Sequence, residues 1–153
     1  MMEISLSPVA FVRNRRSRPT DDQWAEIISL IELADSVPDE ALEGIDQFSH
    51  LEIIYFFHGV DPTELVFASH PRENPDYPLT GIFSQRKKDR PNRLGLCTVE
   101  LLEHKGRTLK VKFLDAIDGT PVLDIKPVFR EFRLNSEIRQ PGWVSKLMKN
   151  YWK

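Results

Sequence analysis

Short runs of β-branched and aromatic residues, each ended by a turn residue, constrain the fold of this chain more than any other feature. One such run is Leu51-Glu-Ile-Ile-Tyr-Phe-Phe-His58, which Gly59 ends. Two further runs, residues 98–104 and 108–114, flank Lys105-Gly-Arg107, a typical hairpin turn. Because few segments have helical periodicity, this pattern predicts a mainly β protein, either a barrel or a sandwich.

Less regular segments complete the predicted fold. Residues 4–12 and 65–69 are predicted strands, and residues 26–33 fit either a strand or a helix. Residues 39–45 have the end signals of a short helix. Apolar residues recur at spacings of three and four near the C-terminus, at Trp143, Leu147, Met148 and Tyr151 or Trp152. This amphipathic helix packs either onto the barrel or against a second subunit.

Composition sets the limits within which a function is sought. At 153 residues, with 41% hydrophobic and 29% charged residues, residues 1–153 should form a single β-barrel-like domain. The formal charge of -2 gives no global attraction to nucleic acid, so RNA binding would need a local basic patch. The single cysteine, Cys97, excludes an internal disulfide. No apolar run approaches the ~20 residues that span a bilayer, so we expect a cytoplasmic protein without membrane contact.

The first of two polar blocks, residues 81–95, is rich in cations. Five cations stand within eight residues, opposed only by Asp89: Arg86, Lys87, Lys88, Arg90 and Arg93. Such side chains suit phosphates and carboxylates, although a solvated loop has the same charge pattern. Pro91, Asn92 and Gly95 punctuate the block, which favours a loop that approaches a ligand closely.

The second polar block, residues 114–127, is rich in carboxylates. Asp115, Asp118 and Asp124 surround Gly119-Thr-Pro121, and Lys126 follows them. Asp118-Gly-Thr is typical of a turn. The carboxylates could also form a salt-bridged network or orient a polar substrate. No His or Cys accompanies them at ligand spacing, so a metal site is disfavoured.

These blocks, taken in order along the chain, resemble the TsaA-like family, also called the TrmO family. The resemblance rests on residues 44–51, Phe57-His58, and residues 81–86, 90–95 and 114–127. Characterised members of that family are S-adenosylmethionine-dependent tRNA methyltransferases that modify N6 of threonylcarbamoyladenosine beside the anticodon. The resemblance implies a small, mainly β-barrel methyltransferase that binds tRNA and works as a homodimer.

The resemblance also implies which residues form the site. The residues that it places at the S-adenosylmethionine cofactor are His58, Gly59, Arg86, Leu96, Lys112, Phe113, Leu114 and Asp115. An N-terminal loop, residues 17–24, corresponds to a further cofactor contact of the family. For catalysis we expect Asp115 or Asp118 to orient or deprotonate the acceptor nitrogen, with His58 as an alternative. The residues expected to bind the acceptor and the tRNA phosphates are Arg86, Lys87, Lys88, Arg90, Asn92 and Lys126.

Two other functions remain open at this point. One is an S-adenosylmethionine-dependent methyltransferase that acts on a small-molecule acceptor, which the near-neutral net charge favours. The other is a non-catalytic module that binds S-adenosylmethionine or RNA, in which the aspartates are structural.

Overall fold

A closed six-stranded barrel forms the centre of the computed structural model, which describes residues 1–153. The strands are β1 (Ala10–Arg13), β2 (Ile28–Leu33), β3 (His50–Phe56), β4 (Ala68–Ser69), β5 (Thr80–Gly81), β6 (Leu94–Lys105), β7 (Thr108–Lys112) and β8 (Pro121–Pro127). The α-helix is α1 (Gly142–Leu147), and several single 3₁₀ turns connect the strands. The prediction of a mainly β, barrel-like fold is therefore confirmed.

The strand order around the barrel is β1-β2-β7-β6-β3-β8, and every neighbouring pair is antiparallel. β8 closes the barrel because it pairs with both β1 and β3. The antiparallel order gathers the C-terminal ends of β1, β3 and β7 and the N-terminal ends of β2, β6 and β8 at one end. The loop of residues 113–120 connects β7 to β8 there, and we call this the β7–β8 end.

Alternating side chains of the strands fill the barrel. On β3, Leu51, Ile53 and Tyr55 are buried, and on the paired β6 Cys97 and Val99 are buried. This period of two is the expected signature of a half-buried strand. Each fully buried aliphatic side chain contributes about 1.5–3 kcal/mol relative to an exposed one.

The clearest sequence patterns predict their elements correctly. The aromatic run before Gly59 is β3, and β6 and β7 form a hairpin around Gly106, whose φ is 58°. The ambiguous segment, residues 26–33, is a strand, β2, because Ser29 and Ile31 face the core while Ile28 and Leu30 face out.

Other predicted elements are shorter than expected. The strand predicted over residues 4–12 begins only at Ala10, and the one predicted over 65–69 is reduced to Ala68–Ser69. The helix predicted over 39–45 is two 3₁₀ turns, because Gly44 takes a left-handed φ of 79° between them. None of the helices could span a bilayer, since the longest, α1, has only 6 residues.

The C-terminal segment packs onto the barrel. Helix α1 ends at Leu147, and residues 148–152 form turns instead of extending it. Gln23 N–H donates to Asn150 O at 3.1 Å, and Trp24 N–H donates to Tyr151 O at 2.8 Å. These bonds attach the segment to the chain between β1 and β2.

Candidate functional site

The β7–β8 end gathers most of the residues that the sequence predicts for cofactor binding. His58-Gly59 follow β3, and Leu96, which lies on the neighbouring strand β6, pairs with Ile54 of β3. An ideal Cβ at Gly119 would lie 3.8 Å from His58 Nε2, which places the end of β3 beside the β7–β8 loop. Segments far apart in the sequence thus converge because the strands are antiparallel.

Arg86 reaches the same end from the loop before β6. Its Nη2 donates to Leu96 O at 2.8 Å, so two predicted cofactor residues are in direct contact. Arg86 makes no other hydrogen bond to a side chain or backbone atom through its guanidinium, which is exposed. Its remaining N–H donors are therefore available to an anionic group of a ligand.

Asp115 is held at this end by two tyrosine hydroxyls. Tyr55 Oη donates to Asp115 Oδ1 at 2.6 Å, and Tyr151 Oη donates to Asp115 Oδ2. Burial, and then the charge of Asp115, raise the pKa of both tyrosines far above the usual range. Both phenols therefore remain protonated donors, and both oxygens of the carboxylate are engaged.

The residues just before Asp115 contribute to the site in different ways. Leu114 is fully buried in the core, so only its backbone can meet a ligand. Phe113 has a left-handed φ of 68°, rare for a residue with a side chain. Its carbonyl accepts a hydrogen bond from Cys97 Sγ at 2.9 Å, and Lys112 Nζ lies 5.1 Å from its ring centroid. Burial, with the charge of Asp115 as the next cause, raises the pKa of the Cys97 thiol well above its usual range, so Cys97 acts here as a neutral donor.

Asp118 connects the β7–β8 loop to the chain after β1. Its Oδ1 accepts a hydrogen bond from Asn14 N at 3.0 Å, and its own N–H donates to Arg16 O at 2.7 Å. Thr120 N donates to Ile117 O at 3.2 Å across the predicted turn, where Gly119 has a φ of 82°. The turn prediction is confirmed, and the second carboxylate oxygen of Asp118 makes no hydrogen bond within the protein.

The N-terminal loop also packs at this end. Arg16 donates to Asp22 O and Gln23 O, both at 2.9 Å, and its guanidinium lies 4.2 Å from the Trp24 ring centroid. The Asn14 side chain donates to Ala116 O at 2.8 Å. The loop of residues 17–24 is therefore anchored beside the β7–β8 loop, and its contact with a cofactor stays a prediction.

In the cationic block, some of the charge holds the loop together. Arg90 Nη1 donates to Gln85 O at 2.8 Å, and Lys87 Nζ donates to Ser69 Oγ at 3.3 Å. Asn92 has a left-handed φ of 61°, and its exposed side chain makes no hydrogen bond within the protein. A cavity of about 150 Å³ lies between this loop and residues 60–65. None of the five cations of this block has an ion-pair partner, and the Lys88 side chain also makes no hydrogen bond, so Lys88 is fully available to a polyanion, while Lys87 has only its 3.3 Å bond to Ser69.

Lys126 is not brought to the β7–β8 end. It pairs with Glu52 near the far end of β8, roughly 17 Å along the strand from Pro121 at ~3.4 Å per residue. Its Nζ lies 2.9 Å from Asp124 Oδ2, and this hydrogen bond raises the pKa of Lys126. The expected salt-bridged network is therefore limited to this pair, and no group of three or more His, Cys, Asp or Glu is placed to hold a metal ion.

Sequence reasoning missed the partners of Asp115. Tyr55 follows Leu51 and Ile53 at a spacing of two, which places its hydroxyl inside the barrel, where a partner is required. That signal was available in the sequence. The spacing of three and four assigns Tyr151 only to an apolar face, and nothing local indicates that its hydroxyl reaches a carboxylate 36 residues away.

Comparison with known proteins identifies relatives over most of the chain. A protein of Methanothermobacter thermautotrophicus, named a probable S-adenosyl-L-methionine-binding protein, is 37% identical over 134 residues, which cover 85% of this chain and 93% of that protein. Human tRNA (adenine(37)-N6)-methyltransferase is 36% identical over 105 residues, but these cover only 23% of the human protein. The crystal structure of TrmO from Pseudomonas aeruginosa has a TM-score of 0.74 at 26% identity and covers 94% of this chain and 62% of that one.

The family model of the tRNA-methyltransferase O N-terminal domain matches residues 10–133, from the first strand of the barrel to the turn after β8. This match contains every cofactor residue that the resemblance names. The chain belongs to the tRNA-methyltransferase O family.

Proposed function

We propose that this chain is an S-adenosylmethionine-dependent methyltransferase that methylates N6 of threonylcarbamoyladenosine beside the tRNA anticodon. The observation that carries the proposal is the convergence of His58-Gly59, Arg86, Leu96 and the segment from Lys112 to Asp115 at one end of the barrel. The names of the relatives support both the cofactor and the class of substrate.

The side chains at this end fit the chemistry of S-adenosylmethionine. Asp115 supplies a negative charge that complements a sulfonium or an ammonium, and Arg86 supplies free donors for a carboxylate. Leu96 is half-exposed beside them and offers apolar surface to a nucleoside. The bound cofactor would supply an electrophilic methyl group, and the chain must align the acceptor nitrogen with it, a positioning effect that reaches roughly 7–11 kcal/mol in ideal systems.

The acceptor nitrogen of threonylcarbamoyladenosine is urea-like and must lose a proton. Both oxygens of Asp115 already accept hydrogen bonds from tyrosines, so we assign Asp115 to the cofactor. Asp118 keeps one oxygen without a partner while Asn14 N–H fixes the other, which suits a positioned base. His58, exposed and close to Gly119, is the alternative base.

The cationic loop provides the local basic patch that a chain of net charge -2 needs for tRNA. Lys87 and Lys88 would contact phosphates, while Arg90 and Asn92 would bind closer to the modified nucleoside. Lys126 lies too far along β8 to share this surface. Arg90 also holds the loop through Gln85 O, so its two roles are coupled.

We further propose that residues 1–153 act as one domain and as a homodimer. Exposed apolar side chains on the outer faces of β2 and β6 would supply surface for a second copy. They are Ile28, Leu30, Leu94 and Leu96. Leu96 also belongs to the proposed cofactor site, so the interface and the site would adjoin.

Nucleoside mass spectrometry tests the proposal. tRNA from cells that lack this gene would be incubated with the protein and S-adenosylmethionine, and threonylcarbamoyladenosine should gain one methyl group. Asp118→Asn keeps an oxygen for Asn14 N–H but removes the base, so turnover should fall about 10²–10⁴-fold with cofactor affinity nearly unchanged. Turnover at the wild-type rate in this variant would refute the assignment of Asp118.

The same assay separates the alternative functions. Formation of S-adenosylhomocysteine without tRNA methylation would indicate a small-molecule acceptor, which the net charge of -2 favours. Cofactor binding without any consumption would indicate a binding module, the description that the name of the methanogen relative carries.

A further inference from the structure

The C-terminal segment, residues 142–153, reaches the proposed cofactor site although the family model ends at residue 133. We call this segment the C-terminal strap. Its backbone is fixed by the hydrogen bonds from Gln23 N to Asn150 O and from Trp24 N to Tyr151 O. The centroid of the Trp143 ring, which also belongs to the strap, lies 6.1 Å from the centroid of the Tyr77 ring. The strap therefore has a defined position beside the barrel.

Two neighbouring residues of the strap, Tyr151 and Trp152, directly contact the segment from Lys112 to Asp115 that we assign to the cofactor. Tyr151 Oη donates to Asp115 Oδ2. The Trp152 ring packs edge-on against the Phe113 ring, with centroids 5.7 Å apart and an interplanar angle of 80°. The rings of Tyr151 and Trp152 pack against each other in the same way, at 5.0 Å. The strap thus braces both Phe113, which has a strained φ, and Asp115.

The hydroxyl of Tyr151 completes the fixation of Asp115. Tyr55 holds Oδ1 from inside the barrel, and without Tyr151 the carboxylate would keep only that side-chain donor. A carboxylate held at one oxygen can rotate about its last bond, whereas donors at both oxygens fix its plane. The negative charge is therefore oriented by one phenol of the core and one of the strap.

We propose that Tyr151 is a positioning residue of the cofactor site: through Asp115, the strap sets the affinity for a cationic sulfonium nucleoside. This inference rests on the proposed function, because it takes S-adenosylmethionine as the ligand. It adds a residue outside the matched family segment to the site. Trp152, 39% exposed beside Phe113, borders the same ligand.

A double-mutant cycle with S-adenosylmethionine as the probe tests the role of Tyr151. Tyr151→Phe removes only the hydroxyl and should raise the Kd measured by calorimetry roughly tenfold, or about 1.4 kcal/mol. In an Asp115→Asn background the same change should have much less effect, because the charged partner is already absent. Tyr77→Phe is the matched control, since the Tyr77 hydroxyl makes no hydrogen bond within the protein.

A merely structural strap gives a different result. Equal Kd values for wild type and Tyr151→Phe would overturn the inference. So would a rise in Kd that is as large in the Asp115→Asn background as in the wild-type background. Either result would leave the proposed function intact. A folded wild-type protein that does not bind S-adenosylmethionine would overturn the proposed function and this inference with it. Circular dichroism would verify that the variants are folded.

Tryptophan fluorescence provides a second test that needs no change at Tyr151. In a Trp24→Phe background, which removes the third tryptophan at this end of the barrel, titration with S-adenosylmethionine should alter the emission of Trp152, so the signal should be largely lost with Trp152→Phe and kept with Trp143→Phe. The same ligand-induced signal in both variants would contradict the placement of the strap at the ligand.

Discussion

Gly95 should tolerate no side chain, and Gly95→Ala tests the packing beneath the site. An ideal Cβ at this position would lie 2.5 Å from two ring carbons of Tyr55 and 3.0 Å from Cζ of Phe57. Ordinary carbon contacts are about 3.5–4.0 Å, so the Tyr55 ring must shift by about 1 Å. Tyr55 is only 2% exposed and lies within the packed barrel, so its neighbours must move with it.

The displacement has two costs. Overpacking a core site costs about 1–3 kcal/mol. Movement of the ring would also stretch the 2.6 Å bond to Asp115, and a hydrogen bond to a charged group contributes about 1.5–3 kcal/mol. Together we expect Gly95→Ala to lower the free energy of unfolding by about 2.5–6 kcal/mol. At about 2–4 °C per kcal/mol for a chain of this size, that corresponds to a fall in Tm of about 5–24 °C.

Thermal unfolding followed by circular dichroism would measure this fall. The control is Gly142→Ala, because nothing lies within 4 Å of an added Cβ at Gly142, and its φ is not left-handed. The control should keep its Tm within a few degrees of wild type. If Gly95→Ala loses no more than Gly142→Ala, the close contact between Gly95 and Tyr55 is refuted.

Two further predictions concern charge. The folded-state pKa of Tyr55 is raised above its ordinary 10.0, so its contribution to stability is present below about pH 10 and is lost as the pH rises further. The urea midpoint of unfolding should therefore fall less steeply with pH in Tyr55→Phe than in wild type between about pH 8 and about pH 11. Equal slopes in the two proteins would contradict the conclusion that burial raises the pKa of Tyr55. For tRNA, Lys87→Ala with Lys88→Ala should weaken binding and reduce the slope of log K against log salt by up to about 2. Lys105→Ala with Lys110→Ala, at and near the opposite end of the barrel, should leave that slope unchanged, and equal effects of the two pairs would exclude a specific role for the loop.

The sequence predicts the barrel best where local pattern and burial agree. The alternation in β3 and the Gly106 hairpin between β6 and β7 reflect the period of two that a half-buried strand requires. Residues 4–8 belong to the strand predicted over residues 4–12 but make no backbone hydrogen bond to the barrel, whose pairing reaches this segment only at Val9. Local propensity could not reveal this, because strand pairing is a tertiary interaction.

The candidate site is predictable to the extent that its motifs resemble those of the family. The resemblance names Arg86 and Leu96, and the two residues are in contact in the structure. The period of two in β3 indicates that the Tyr55 hydroxyl is buried and needs a partner, but the separations of 60 and 36 residues leave no local signal that Asp115 is the partner of Tyr55 and Tyr151. Lys126 follows Asp124 within the second polar block, yet the direction of β8 carries it away from the site.

The position of β8 in the barrel has a consequence for folding. Ala10 pairs with Val122, so closing the barrel joins strands that are 112 residues apart in the chain. Such long-range pairing is formed late and slowly, in the range of milliseconds to seconds for β proteins of high contact order. Until β8 docks, β1 and β3 both remain open edges with unpaired backbone groups, which are templates for aggregation. Fragments that stop before residue 121 should therefore associate with one another rather than persist as monomers.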